Sequence, residues 1–327
     1  FSYYPRAGEK LLLDITRPAA VAGRTLAIDA ARHQRIVGGR SSDETLNFSY
    51  RSTQGGRHAI SLPKDARVAS VESDGQPVAL RPANGELSIV LAPGEHNVTV
   101  TWQSPQGARL ATTVDPVDLH APASNVITTV QRPADRWPLF AAGRGAGVGP
   151  AVLYWGELVA LLLSASLLGR WPVSPLRTHE WLLLGLGLST LSWSVLVLVA
   201  LWLFTLRWRE QWGGTSRRWL FNLTQLALVL FTLTALGSLL FSGIQYGFLS
   251  SPSMGVVGEG SGGGTFSWFR DQTVSSLPAP MVFSVPLWLY KALIFAWALW
   301  IAFALSRWLR FAWHAWSAGG YWRSHGK

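Results

Sequence analysis

The sequence predicts a membrane protein of the α+β class: an antiparallel β-sandwich followed by a four-helix transmembrane bundle. Three observations predict it. Short runs that alternate polar and apolar residues fill the chain up to about residue 150, and long apolar stretches fill it afterwards. Hydrophobic residues make up 49% of the 327 and charged ones only 14%, against roughly 25% charged in a typical soluble domain. Four stretches also reach the roughly 17–25 residues needed to cross about 30 Å of hydrocarbon.

The β domain is assigned to residues 1–133. Its strands are read at Arg24–Ala30, Thr45–Thr53, Arg57–Pro63, Ala66–Ser73, Pro77–Arg81, Glu86–Leu91, His96–Gln103, Ala108–Val114 and Val126–Gln131. Val98, Val100 and Trp102 fall on one face of their strand, because side chains alternate with a period of two. Asp74-Gly75 between two such runs signals a hairpin, since a type I′ turn needs positive φ at both central residues. Strands at this spacing, with no helical period between them, predict the antiparallel sandwich. His33, His58, His96 and His120 show no metal-ligand spacing and read as surface or strand-edge residues. Arg17, Arg24, Arg35, Arg40, Arg51 and Arg57 alternate with Asp29, Asp43 and Glu44, which predicts a mixed solvated face rather than an anion-binding patch.

Residues 134–150 form the joint. Trp137-Pro138 suits an interfacial anchor, and Gly143, Gly145, Gly147 and Gly149 read as loosening the backbone.

The transmembrane domain, 151–327, has its four helices at 151–169, 181–206, 219–243 and 287–306. Tryptophans at their ends make aromatic belts. Four spans place the β domain, the Arg207–Arg218 loop and the C-terminus on one side, with residues 245–286 on the other. That first side holds most of the Lys and Arg of the loops, so the positive-inside rule puts it, β domain included, in the cytoplasm. β-sandwiches on bacterial inner-membrane bundles are more often periplasmic, and the two arguments leave the side open. Polar residues inside spans are the candidate site. Glu157 and Gln225 each lie six residues into a span that enters from the β-domain side, about 9 Å deep at 1.5 Å per residue. Asn222 is one turn shallower, and Arg307 ends the fourth span on that side. Glu157, Asn222, Gln225 and Arg307 can therefore form one intramembrane polar cluster, a relay or headgroup site in one reading and interhelical glue in the other. Lys291 enters from the opposite side and is expected to snorkel away from Glu157.

The net charge of +10 divides into +3 over residues 1–149 and +7 over 150–327. The basic residues flank apolar stretches, which fits membrane topology and argues against a nucleic-acid partner. The absence of cysteine excludes disulfides, thiolate metal sites and a Cys nucleophile. No catalytic residue, cofactor or metal ligand is assigned, because no acid/base pair, metal cluster or nucleophile–base spacing occurs. Gly258-x-Gly260-x-x-Gly263 matches a dinucleotide fingerprint in letters alone, with no strand before it and no helix directly after it. The chain starts at Phe1 and reads as part of a longer or processed chain.

The runs Gly149-Pro150-Ala151-Val152-Leu153-Tyr154-Trp155-Gly156-Glu157-Leu158 and Ser174-Pro175-Leu176-Arg177-Thr178-His179-Glu180-Trp181 resemble large inner-membrane proteins of proteobacteria that carry no assigned activity. In those proteins a β-rich domain joins C-terminal transmembrane helices. The resemblance implies a multi-pass protein of the bacterial inner membrane and assigns no catalytic residue. The expected function is a non-enzymatic envelope protein, an interaction or assembly module with the lipid bilayer and an envelope protein as partners. A transporter or channel component using Glu157, and a membrane enzyme on lipid or glycan, are the alternatives.

Overall fold

The computed structural model describes Gly8 and residues 25–80, 82–83, 85–189, 192–212, 217–242, 252–318 and 320–323. Arg17, Arg24, Asn84, Ser216 and Lys327 lie outside these. Strands β1 (Leu26–Val37), β2 (Ser42–Ser52), β3 (Gly56–Ser61), β4 (Arg67–Ser73), β5 (Gln76–Pro77), β6 (Glu86–Leu91) and β7 (Gly94–Ser104) come first. After them come β8 (Ala111–Thr113), β9 (Ala123–Gln131), β10 (Arg136–Ala142) and β11 (Ala151–Val152). Helices α1 (Tyr154–Arg170), α2 (Thr178–Ser189), α3 (Trp193–Gln211) and α4 (Arg218–Ser242) follow. The chain then makes three more strands, β12 (Val256–Val257), β13 (Thr265–Thr273) and β14 (Met281–Pro286), and ends in α5 (Leu287–Ser317).

The main sheet has seven strands in the order β13-β9-β1-β2-β7-β4-β5. It is mixed, which corrects the expectation of an antiparallel sandwich: β9 runs parallel to β1, with His33 beside Thr128. A parallel neighbour needs a long crossover, and residues 105–122 supply it, burying Val114, Val117 and Leu119 on the way. The β3–β6 pair covers the sheet face, so Ile60, Leu87 and Ile89 meet Leu46, Phe48, Val98 and Val100 in one core. The Asp74-Gly75 turn forms as the dipeptide predicts, with φ of 50° and 76°.

The segment expected on the far side of the membrane belongs to the β domain. β13 pairs with β9 along its length, from Thr265 opposite Gln131 to Thr273 opposite Ala123. β14 pairs with β10 and β8. Gly143, Gly147 and Gly149 of the joint are packing seats. A Cβ on Gly149 would stand 2.2 Å from Trp268 Cδ1, and one on Gly143 2.5 Å from Trp268 Nε1.

The four-helix transmembrane bundle is also corrected. Among the described residues there are five helices, of which two, Arg218–Phe241 and Leu287–Ser317, are long and apolar enough to cross a membrane. The stretch read as a single helix over 181–206 is two helices, α2 ending at Ser189 and α3 beginning at Trp193, which run side by side in opposite directions. Trp181 and Phe204 consequently stack with ring centroids 5.6 Å apart, whereas an unbroken helix would separate them by roughly 35 Å. α2, at 12 residues, reaches only about 18 Å. α1 carries Glu157 in its first turn, and α3 ends in Arg207, Arg209 and Glu210, so the uncharged run of each is short.

A ladder of side-chain contacts fixes the helix directions. α5 leaves the β domain directly from β14, and its Trp297 indole donates to the Leu183 carbonyl at 2.9 Å. Further down, Arg307 meets Glu180 at 2.8 Å, and Arg209 donates to the Ala318 carbonyl at 2.7 Å. Trp202 donates to Thr232 at 3.0 Å across α3 and α4. The end of α3, the start of α4 and the end of α5 therefore gather at the end of the helical layer opposite the β domain. That reverses the expectation that the Arg207–Arg218 loop shares the β domain's side.

Candidate functional site

The four residues singled out in the sequence separate into three places. Asn222 and Gln225 stand together at the end of α5. Asn222 donates through Nδ2 to the Arg323 carbonyl at 3.1 Å and accepts from the Arg323 amide at 3.0 Å. Buried Gln225 donates to the carbonyls of Trp316 and Gly320 at 2.8 and 3.1 Å. The Trp316 carbonyl belongs to the last turn of α5, whose orphan acceptors need donors when water is excluded, and those of Gly320 and Arg323 to the segment after it. Arg209, also buried, serves Ala318 in the same way and lies 5.3 Å from the Phe221 ring centroid. Arg307 pairs with Glu180 instead of Glu157. Glu157 sits near the β domain in the first turn of α1. Lys291, in the first turns of α5, shares that end with it rather than facing it from across the membrane.

A buried charge cluster lies in the β domain, at one end of the sheet's core face. β1 alternates so that Ala31, His33, Arg35 and Val37 point inward while Arg32, Gln34 and Ile36 point out. Register sets Arg35 directly opposite Glu44 and Glu44 opposite Trp102. Glu44 accepts from Ser104 Oγ at 2.6 Å, pairs with His33 Nε2 at 2.8 Å and lies 3.3 Å from Arg35 Nη1. Arg35 also reaches Asp115 at 3.2 Å and the Thr113 carbonyl at 3.1 Å. Burial pushes the Glu44 carboxyl up, but His33, Ser104 and Arg35 together hold it below its ordinary value of 4.5. The reading of His33 as a surface histidine, and of Arg35 and Glu44 as a solvated face, is thereby corrected. Arg51 does sit on such a face, in a two-pronged pair with Asp29 at 2.6 Å.

Ser104 and Asp115 carry this cluster to the wall of a polar cavity of about 330 Å³ that Lys64, Asp65 and Gln106 also line. His33 contacts Glu44 and not Ser104, so the hydroxyl has a carboxylate acceptor and no activating base. A second constellation lies on the outer side of β3. Ser61 Oγ is 2.8 Å from His120 Nε2, and His120 Nδ1 is 3.7 Å from Asp118. Nucleophile and base are within reach, yet the amides of Ser61 and Leu62 already bond the carbonyls of Asp118 and Gly85. The two nearest backbone donors are thus unavailable to an oxyanion. Among the described residues no group of three His, Asp or Glu is placed to hold a metal ion. The sequence missed both constellations because key partners lie far apart in the chain, His33 from Glu44 by 11 positions, Ser61 from His120 by 59 and Arg35 from Asp115 by 80, and only the fold joins them.

No protein-family model matches this chain, and no curated protein matches it. Solved structures with slight likeness include an M1 zinc metallopeptidase from Deinococcus radiodurans, at 15% identity, with a TM-score of 0.30 over 38% of this chain and 35% of that one. Leukotriene A4 hydrolase from Saccharomyces cerevisiae is similar at 8% identity, with a TM-score of 0.28 over 41% and 28% of the two chains. The match spans about a third of those proteins' length, and a likeness of this size carries no argument about fold or chemistry.

Proposed function

We propose that this chain is a non-enzymatic envelope protein of the bacterial inner membrane, whose β domain is an interaction or assembly module anchored by α4 and α5. The observation that carries the reading is where the apolar surface points. The most apolar windows of α4 and α5 have mean hydropathies of 1.9 and 1.7, yet only 22% of each is buried within the chain. Leu226, Leu230, Leu233, Leu293, Phe295, Leu299 and Phe303 all face outward. The core helix of a soluble protein would bury such residues, and a contiguous exposed face of this kind calls for lipid. Aromatic residues flank it at both ends, with Tyr154, Trp155 and Trp288 near the β domain and Trp208, Trp219 and Trp313 at the far end.

Arg207, Arg209, Arg217, Arg218, Arg310 and Arg323 belong to the end opposite the β domain. With the helix directions above, the positive-inside rule now puts that end in the cytoplasm and the β domain on the periplasmic side. Charge and architecture agree once the loop is on its correct side. The transporter alternative drew on a polar cluster of Glu157 with Asn222, Gln225 and Arg307, and those three residues have other partners.

Because the chain has no cysteine, single cysteines report the orientation cleanly. On intact spheroplasts a membrane-impermeant maleimide should label Ser88→Cys in the β domain at once, and Glu210→Cys only after lysis. The reverse pattern would overturn the orientation. For the module reading, purification in gentle detergent at native expression should retain an envelope protein in fixed proportion. A lone monomer at every step would sink it.

A further inference from the structure

The polar cavity of about 330 Å³ in the β domain is built from three segments that each carry a proline. Pro63-Lys64-Asp65 follows β3, Ser104-Pro105-Gln106 ends β7, and Asp115-Pro116 belongs to the crossover toward β9. The fixed φ of proline holds each backbone in place before any ligand arrives, which lowers the cost of binding. Loops gathered at one end of a rigid sheet are where binding groups usually stand.

Charged side chains belong to the lining itself. The Ala66 amide donates to the Pro63 carbonyl at 2.9 Å, which makes Lys64 and Asp65 the central pair of a tight turn. Both are exposed, and among the described residues neither forms an ion pair. Asp115 is fixed from behind. Arg35, only 1% exposed, donates to its Oδ2 at 3.2 Å and to the Gln106 carbonyl at 3.3 Å. Ser42 Oγ donates to that same carbonyl at 2.6 Å. The Asp115 side chain nonetheless keeps 25% of its surface open. Buried charge is costly to keep, and here it holds two lining residues in position.

The charges of the lining select the ligand. A simple anion would meet two carboxylates, and a simple cation would meet the Lys64 ammonium. A molecule with an ammonium at one end and a carboxylate at the other satisfies all three side chains. Leu62, Pro63, Pro105 and Pro116 supply the apolar part of the lining for its carbon skeleton. The volume falls at the low end of the roughly 300–1,000 Å³ of small-molecule sites, so the ligand is small.

We propose that this cavity binds a small zwitterion of the amino-acid or dipeptide class, its ammonium on Asp65 and Asp115 and its carboxylate on Lys64. The site lies wholly within the β domain. It is therefore independent of the protein partner and of the membrane anchor proposed above, and its failure would leave both standing.

The test is calorimetric titration of the full chain in detergent with alanine and with alanyl-alanine. At least one should bind saturably. For the tighter of the two, blocking the amine by acetylation, or the carboxylate as the amide, should each weaken binding about tenfold, as loss of a charged hydrogen bond does. Penta-alanine, whose ends are too far apart to share the cavity, should bind at least about tenfold more weakly as well. Asp65→Asn should shrink the penalty for acetylation and Lys64→Ala the penalty for amidation. Both side chains are exposed, so both variants should keep the melting temperature of the native chain. Absence of saturable binding by alanine and alanyl-alanine alike overturns the site. Equal binding of the blocked forms, or of penta-alanine, overturns recognition of the two ends, and so do unchanged penalties in both variants.

Discussion

Glu44 has no exposed side-chain surface, and an isolated carboxylate there would cost several kcal/mol. It stays ionised because His33, Ser104 and Arg35 converge on its two oxygens. Glu44→Ala leaves His33 and Arg35 buried without their shared acceptor. It should destabilise the β domain by about 3–5 kcal/mol, the usual cost of breaking a buried pair, read as a loss of melting temperature. The pH dependence follows from the direction of the shift. A carboxyl held below its ordinary 4.5 in the fold adds stability at pH above that value, and the contribution disappears as pH falls through the lowered folded value. The melting temperature of the native chain should therefore drop on acidification below about pH 4.5, and Glu44→Gln should flatten that drop. At this scale the sequence misled for a definite reason. The run Arg32-His33-Gln34-Arg35-Ile36 alternates in charge and size with either face equally plausible, and Ile36 in fact faces out. Only the pairing of Arg35 with Glu44 across β1 and β2 says which side is the core.

Individual elements were more legible where their signals were local. β2, β3, β4, β6 and β7, and the Asp74-Gly75 turn, follow from alternation and turn chemistry, whereas the strand read at Pro77–Arg81 shrinks to Gln76–Pro77. β13 and β14 did not, because Gly-rich residues 258–264 and Pro278, Pro280 and Pro286 surround them with loop signals. The partners of these strands also lie far back in the chain. The split of 181–206 was hidden by hydropathy, which does not see a reversal of direction inside an apolar run. The joint glycines tell the same story in packing terms. Gly147 has a φ of 85°, and a Cβ there would stand 2.0 Å from the Phe269 carbonyl oxygen. Gly147→Ala should thus cost about 1–3 kcal/mol, as overpacking does, and speed amide exchange across residues 265–273 while leaving the α3–α4 hairpin protected. Equal protection of β13 in both proteins would refute the seat.

For the whole molecule, the positions of the two ends changed most between sequence and structure. Hydropathy located the apolar residues correctly, but an even number of assumed crossings put the basic loop on the wrong side. α5 is 31 residues long, roughly 45 Å, more than the hydrocarbon of a bilayer needs. Its last turns, from Arg307 on, project into the basic end. Membranes washed in alkaline carbonate should retain the chain, and detergent should release it; release by carbonate alone would contradict anchoring by α4 and α5. Replacing Arg207, Arg217, Arg218 and Arg310 with Ser should produce a population of mixed orientation, seen as labelling of Glu210→Cys before lysis.

The pairing of β9 with β13 also dictates an order of events during synthesis. Gln131 and its partner Thr265 are separated by four helices, so β9 emerges with one edge bare and keeps it bare until the chain has gone down and come back. Closing so long a loop is slow, and an unpaired edge is a template for wrong partners. A ribosome stalled between α4 and β13 should accordingly hold a β domain that proteases cut and chaperones bind. Completion of the domain is then coupled to correct placement of the helices that precede it.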